Sequence, residues 1–235
     1  MAYTTYTNVV SGMTRADLRD VVAVHLRSFP GFFLSQMGSR FLLCLYDELL
    51  GTPSGIALVC KQGHKLLGFV AGTAEPRGFY KRLLVRKGHR FALASVLPVL
   101  RDPMIVPRLL NALRKTKEEA DGEGCGLLMS IAVDPEAQAR GIGAALVQEF
   151  LAECKKRGLS SVHLTTDQLG NDGANHFYSK LGFSLSRVIT TPQGRVMNDY
   201  RIEFVSQPRL PVSKVSPDRE TGRSVRIEPC GAQKD

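Results

Sequence analysis

The sequence predicts an α/β fold, and three observations carry that prediction. Two apolar stripes recur at helical spacing near the N-terminus, several short β-branched or apolar runs are bounded by turn residues, and one buried-strand run passes through a two-glycine loop into an amphipathic helix. Thr14 and Asp17 are spaced as in a capping box, with Asp where Glu or Gln is usual. Leu18, Val21, Val22, His25 and Leu26 follow at helical spacing, so a helix is expected from about Arg15 to Phe29. Pro30 and Gly31 break it, and Leu34, Met37, Phe41, Leu42, Leu45 and Leu49 mark a second helix ending near Gly51. Ile56 to Cys60 and Leu66 to Thr73, separated by Lys61-Gln62-Gly63-His64, suit an antiparallel hairpin.

A basic segment comes next. Its apolar residues (Phe91, Leu93, Val96, Leu97 and Leu100, then Ile105, Val106, Leu109, Leu110 and Leu113) predict two or more short amphipathic helices punctuated by Pro98, Pro103 and Pro107. Residues 76–118 read as an insertion lying on the main body, because about forty helical residues cannot easily bury a core alone. Leu127 to Val133 then reads as a buried strand, Gly141 to Arg157 as a helix stopped by Gly158, and Ser161 to Thr166 as another strand. Ala174 to Leu181 is a short helix stopped by Gly182. Phe183 to Thr191 and Arg195 to Val205 form a hairpin about Pro192-Gln193-Gly194. One catalytic domain over 1–205 is expected, with 206–235 a mobile, polar tail.

Composition narrows the class. With 235 residues and 43% hydrophobic content the chain can bury a real core, and it holds no apolar run of membrane-spanning length. The first residues lack the order of a signal peptide, so a soluble, cytoplasmic protein is expected. Cys44, Cys60, Cys125, Cys154 and Cys230 are scattered and never form a C-x-x-C pair, so neither a disulfide framework nor a metal site is suggested. The net charge of +9 is concentrated between Arg77 and Lys117, where eleven basic residues face Asp102 alone.

The chemistry is carried by Val133-Asp134-Pro135-Glu136-Ala137-Gln138-Ala139-Arg140-Gly141-Ile142-Gly143-Ala144, which runs from a strand through a tight loop into a helix. Such a loop can hold an anion, because the first helical turn has unpaired N–H groups and a partial positive charge, and glycines let a phosphate approach the backbone. It is neither a Walker loop, since no Gly-Lys-Ser/Thr follows, nor a dinucleotide fingerprint, since the third glycine is missing. Gln138-Ala139-Arg140-Gly141-Ile142-Gly143 resembles the Q/R-x-x-G-x-G/A signature of the GNAT superfamily of N-acetyltransferases. A second stretch, Asn171-Asp172-Gly173-Ala174-Asn175-His176-Phe177-Tyr178-Ser179-Lys180-Leu181-Gly182-Phe183, is similar to that family's N-x-x-A-x-x-F/L-Y-x-K-x-G-F segment. The resemblance spans roughly Leu127 to Phe204.

The resemblance implies a GNAT fold, with a mostly antiparallel mixed sheet flanked by helices and the basic insertion between the third and fourth strands. It implies acetyl-CoA as co-substrate, no metal, and transfer of acetyl to an amine. The coenzyme would contact Gln138, Ala139, Arg140, Gly141, Ile142, Gly143 and Ala144 through loop amides, Ile131, Ala132 and Val133 by strand-like pairing with pantetheine, and Asn171 and Tyr178 beyond. Tyr178 stands at the position of the usual general acid. Alone it reads as a core tyrosine under Phe177 and Phe183, and the first motif reverses that preference. A phenol can protonate a departing thiolate while remaining neutral at physiological pH.

The proton acceptor for the amine is less evident. Family enzymes often carry a Glu on the central strand, where this chain has Met129 and Ser130. Asp167, Glu75 and His163 are the candidates, Asp167 foremost because it ends a strand beside a cofactor loop. Each also has a structural reading, as a turn carboxylate or a core imidazole. The basic segment invites an anionic partner: a nucleotide-linked amino sugar or other small phosphorylated amine, an acidic membrane surface, or, least, a nucleic acid. The competing readings are an N-terminal acetyltransferase of the ribosomal-protein kind and a non-catalytic acyl-CoA-binding regulator.

Overall fold

A computed structural model of the chain describes residues 9–103, 124–191 and 194–204. In chain order it comprises β1 (Val9–Gly12), a 3₁₀ turn (Arg15–Asp17), α1 (Leu18–Ser28), α2 (Phe33–Gln36), α3 (Gly38–Leu50), β2 (Gly55–Gln62), β3 (Lys65–Thr73) and α4 (Phe79–Arg101). There follow β4 (Cys125–Val133), a second 3₁₀ turn (Pro135–Ala137), α5 (Ile142–Lys156), β5 (Ser161–Asp167), α6 (Asp172–Lys180), β6 (Ser184–Thr190) and β7 (Val196–Glu203). The seven strands form one sheet in the order β1-β2-β3-β4-β5-β7-β6, antiparallel throughout except where β4 meets β5. This is the α/β architecture that the sequence predicts. The chain divides at 205/206, and the segment beyond, for which a mobile tail was expected, lies outside the described residues.

The sheet is covered on both faces, which is why its central strands read as near-continuous apolar runs. Leu66, Phe69 and Ala71 of β3 pack into a cluster with Val21, Val24, Leu42, Leu45 and Tyr46 of α1 and α3. The alternate residues Leu67 and Val70 join Leu146, Val147 and Phe150 of α5 on the other face, with Val162, Leu164 and Tyr178. Phe150 is fully buried, and its truncation to Ala would cost about 3–5 kcal/mol.

The local signals hold with some corrections. Asp17 accepts hydrogen bonds from both the N–H and the hydroxyl of Thr14 at 2.8 Å, completing the capping box, and it also pairs with Lys61. The turn it caps is 3₁₀, so α1 begins only at Leu18. The second expected helix is divided into α2 and α3 by Gly38, whose φ of +79° is left-handed. Edge strand β1 was not expected, since its four residues show no burial alternation. The basic segment opens with two helical stretches, together α4, which meet at a kink at Lys87 (φ −141°), and the second carries Pro98 within its last turn. Pro98 breaks no more than one hydrogen bond there, and Asp102 N–H still donates to its carbonyl. The rest of the expected insertion, from 104, lies outside the described residues.

Candidate active site

The site begins with a divergence of two strands. β4 and β5 pair in parallel only over Cys125–Leu127 and Ser161–His163. Beyond that, β4 stays with β3 as far as Val133, while β5 follows β7 as far as Asp167. A bulge drives them apart: Ala71 faces Ser130 and Gly72 faces Leu128, so Met129 is an extra residue in β4, and such an insertion bends and twists the strand that carries it. The result is a cavity of about 890 Å³ between Leu128–Val133 on one side and Leu164–Asp167 on the other. Past Leu127, the β5-facing edge of β4 has no strand partner among the described residues, leaving it open to an extended ligand.

At one end of the cavity lies the loop into α5. Gly141 is the residue preceding the helix, in the left-handed region at φ +74°, and Ala139, at φ +62°, is the one non-glycine with positive φ among the described residues. That strained backbone sits at the cavity wall, where such strain collects at ligand sites. The first helical hydrogen bond runs from Ala145 N–H to the Gly141 carbonyl, so the amides of Ile142, Gly143 and Ala144 have no partner within the helix. Gly143 is required for a different reason: a Cβ there would stand 3.3 Å from the Phe177 ring, so its absence lets α6 close on the start of α5.

The structure brings most of the expected residues together. Ile131, Ala132, Val133, Gln138, Ala139, Gly141, Ile142, Gly143, Ala144, Asn171, Asp167 and Tyr178 all line the cavity. Asn171 precedes α6 without capping it through its side chain, which leaves the amide for another partner. Tyr178 is buried among Phe177, Phe183 and Tyr200, and burial pushes its phenol well above the ordinary tyrosine range. It therefore stays protonated across neutral and moderately alkaline pH.

Four expected residues stand elsewhere or are already engaged. Arg140 does not line the cavity and donates to the Glu136 carbonyl at 3.2 Å. Glu75 also lies off the cavity, 70% exposed and 3.5 Å from Arg82, because β3 ends before it and the chain turns outward into α4. His163 also lies off the cavity, at the last position where β5 still pairs with β4, with Nδ1 3.6 Å from Asp199 Oδ1. Burial opposes the charge on Asp199, but His163 and Arg187 together hold its carboxyl below the usual range. Asp167 is at the cavity, yet both its oxygens accept from the guanidinium of Arg195, a bidentate pair that already engages the carboxylate.

The other end of the cavity was not read from the sequence. It is lined by His25 and Phe29 of α1 and its cap, by Phe32, Phe33 and Leu34, and by Met197 and Arg195 from β7 and the turn before it. Arg195 stands 5.8 Å from the centre of the Phe32 ring, a cation–π contact bridging the two lips. His25 is 2% exposed, its Nδ1 is 2.7 Å from the Tyr46 hydroxyl, and burial pushes its imidazole down to about 4, so it is neutral at pH 7. The available signal was a histidine placed within an apolar helical stripe.

The two ends are tied across β4. Arg27 of α1 donates to Asp134 at 2.5 Å, and Ser28 donates to the Val133 carbonyl at 3.3 Å. Burial opposes ionisation of Asp134, but Arg27, the Glu136 amide and Lys65 outweigh it and hold the carboxyl below the usual range. Among the described residues no group of His, Cys, Asp and Glu could hold a metal ion, and no helix is long and apolar enough to cross a membrane.

Residues 110–183 match the model of the acetyltransferase (GNAT) family. A crystal structure of a GNAT-family acetyltransferase from Desulfovibrio desulfuricans superposes with a TM-score of 0.57 at 17% identity, covering 84% of this chain and 99% of that one. In sequence, the chain is 40% identical over 65 residues to the mycothiol acetyltransferase of Nocardiopsis dassonvillei, covering 28% of this chain and 19% of that protein. It is 39% identical over 57 residues to the [ribosomal protein bS18]-alanine N-acetyltransferase of Escherichia coli K12, covering 24% and 38%. The matched stretches thus span well under half the length of these relatives. The signature loop and the splayed strands lie within residues 110–183, the stretch that matches the GNAT acetyltransferase model, and the solved GNAT structure shares the fold.

Proposed function

We propose that the protein transfers an acetyl group from acetyl-CoA directly to the nitrogen of an amine. The observation that carries this reading is the alignment, in one cavity, of three features: unpartnered amides at the start of α5, an open strand edge on β4, and the protonated hydroxyl-bearing ring of Tyr178. The amides of Ile142, Gly143 and Ala144 suit a pyrophosphate, where backbone donors and the helix dipole act together. The open edge of Leu128–Val133 suits the amide-bearing pantetheine arm, which can hydrogen-bond as an added strand does. Acetyl-CoA bound in this way supplies the activated acyl thioester.

This chain's residues then do the rest. Tyr178 gives its proton to the sulfur as the C–S bond breaks and the C–N bond forms, and the proton the amine loses returns through solvent to the tyrosinate. Burial of the phenol keeps it in the donor form. No cysteine lines the cavity among the described residues, and burial pushes the thiols of Cys44, Cys60 and Cys154 up, that of Cys154 to about 12. A covalent acyl-cysteine stage therefore finds no nucleophile at the site, and direct transfer is the reading supported.

The acceptor end favours an amine borne on an apolar body. Its walls are phenylalanine, leucine and methionine, its one cation is neutralised by Asp167, and no described residue of the basic segment reaches it. That supports a peptide N-terminus with apolar side chains, as in the relative acting on a ribosomal-protein alanine, over a nucleotide-linked amino sugar. A diphosphate would find no free basic partner in this cavity among the described residues. The basic segment has a separate use. Helix α4 exposes Leu93, Val96, Leu97 and Leu100 beside Arg86 and Arg101, which favours contact with an acidic membrane surface, and flotation with phosphatidylserine vesicles tests it. For the reaction itself, the purified protein is titrated with CoA by calorimetry and then incubated with acetyl-CoA and a cell extract. Stoichiometric CoA uptake and an acetylated amine found by mass spectrometry are expected. No CoA uptake would end the reading.

A further inference from the structure

Helix α6 carries Tyr178 on only nine residues, so its placement depends on what it rests against. The Tyr178 ring packs on Phe177, Phe183 and Tyr200, with centroids 5.2, 5.7 and 6.3 Å away. On the α5 side the Phe177 ring closes over Gly143. Apolar burial of this kind excludes water but is non-directional. Hydrogen bonds have to supply the direction.

Asn175 supplies them. It precedes Tyr178 by three residues, so the two side chains share a face of α6, one turn apart. Its Nδ2 donates to the Asp167 carbonyl at 3.1 Å, and its Oδ1 accepts from the Thr166 hydroxyl at 2.6 Å and from Asn198 Nδ2 at 3.3 Å. The Asp167 carbonyl can only accept, which fixes the end of the amide that carries nitrogen. Thr166 and Asn198 are buried and face each other in the β5–β7 register. One amide therefore joins α6 to β5 and β7 where both border the cavity.

We propose that Asn175 is a positioning residue, its amide locking α6 to β5 and β7 so that the Tyr178 hydroxyl stands against the thioester sulfur. This role rests on the acetyl-transfer reading above. On that reading the pantetheine lies along β4, the opposite wall of the cavity, so the distance from hydroxyl to sulfur is a distance between two walls. Asn175 does not line the cavity and acts through Tyr178. A misplacement of about 1 Å can cost about 10²-fold in rate. A buried amide with three bonds also stabilises the fold, but stability alone gives no reason for the effect of its loss to depend on the phenol.

The test is a double-substitution cycle on the full chain, read as kcat for thiol release from acetyl-CoA. The acceptors are phenethylamine and phenylalaninamide, two primary amines on apolar bodies. Asn175→Leu, which keeps the bulk and removes the amide, should lower kcat about tenfold while calorimetric CoA affinity stays within about twofold of wild type. In a Tyr178→Phe background the same change should lower kcat by less than about twofold, because no phenol proton remains to be misplaced. Thr166→Val, close in shape and suited to a strand, removes the shortest of the three bonds. It should lower kcat severalfold, again only where Tyr178 is present, and it carries the test if Asn175→Leu takes up no CoA and so has not folded. Equal losses with and without the phenol, or kcat within about twofold of wild type in every folded variant, would overturn the role. A wild type that takes up no CoA, or releases none from acetyl-CoA with either amine, would instead remove the acetyl-transfer reading on which it rests.

Discussion

The two ends of the cavity are built by different means. At the α5 end the walls are backbone: the amides of Ile142 to Ala144, the left-handed turns at Ala139 and Gly141, and the open edge of β4. At the α1–α2 end they are side chains: His25, Phe29, Phe32, Phe33, Leu34 and the Arg195–Asp167 pair. A backbone site recognises what every acyl-CoA shares, a pyrophosphate and an amide-bearing arm. A side-chain site can change its selectivity one residue at a time. On the proposed reading, the difference makes donor binding and acceptor choice separable, with Tyr178 belonging to the step that joins them.

The sharpest way to break that comparison is at the junction. Tyr178→Phe is expected to lower turnover by roughly 10²–10⁴-fold with CoA affinity little changed, measured by thiol release and calorimetry. Wild-type turnover in that variant would take the phenol out of the reaction. Next in size is the tie between the two ends. Asp134→Asn loses a charged hydrogen bond to Arg27 and is expected to cost about 1.5–3 kcal/mol at neutral pH, toward the lower figure because Arg27 is half exposed. The folded-state carboxyl is held below its unfolded value of about 3.9, so its contribution is present above that pH and fades as pH falls through the folded value. Chemical denaturation of the two proteins should therefore differ at pH 7 and converge in acid.

A smaller effect is expected at the backbone end alone. Gly141→Ala places a side chain at φ +74°, at a cost of about 1–2 kcal/mol, and should weaken CoA binding by about tenfold while leaving acceptor KM unchanged. The smallest concerns Asp167. If its carboxylate serves Arg195 and not the amine, Asp167→Asn should change turnover by less than about tenfold. A fall of 10²-fold or more would reinstate it as the base.

The same division governs how much could be read from the sequence. The α5 end was legible because a backbone site leaves local marks: Gly141 and Gly143 at fixed spacing, a strand before them and a helix after. The residue that α6 contributes, Tyr178, came with a second local motif. Secondary structure was legible where caps and breakers are strong, as at Thr14–Asp17 and Gly158, and less so at Pro98, where a proline in the last helical turn costs too little to end the helix. The acceptor end left no such marks. His25 is one apolar-stripe position among many until α3 brings Tyr46 to it across 21 residues, and Arg195 meets Asp167 across 28. Glu75 shows the converse, a carboxylate at a strand end that the turn into α4 carries away from the cavity.

The most direct test is a crystal structure of the full chain with CoA bound. The account places the pyrophosphate on the amides of Ile142, Gly143 and Ala144, the pantetheine along Leu128–Val133, and the thiol in hydrogen-bonding contact with the Tyr178 hydroxyl. CoA bound away from the α5 loop, or a thiol directed out of the gap between β4 and β5, would contradict it.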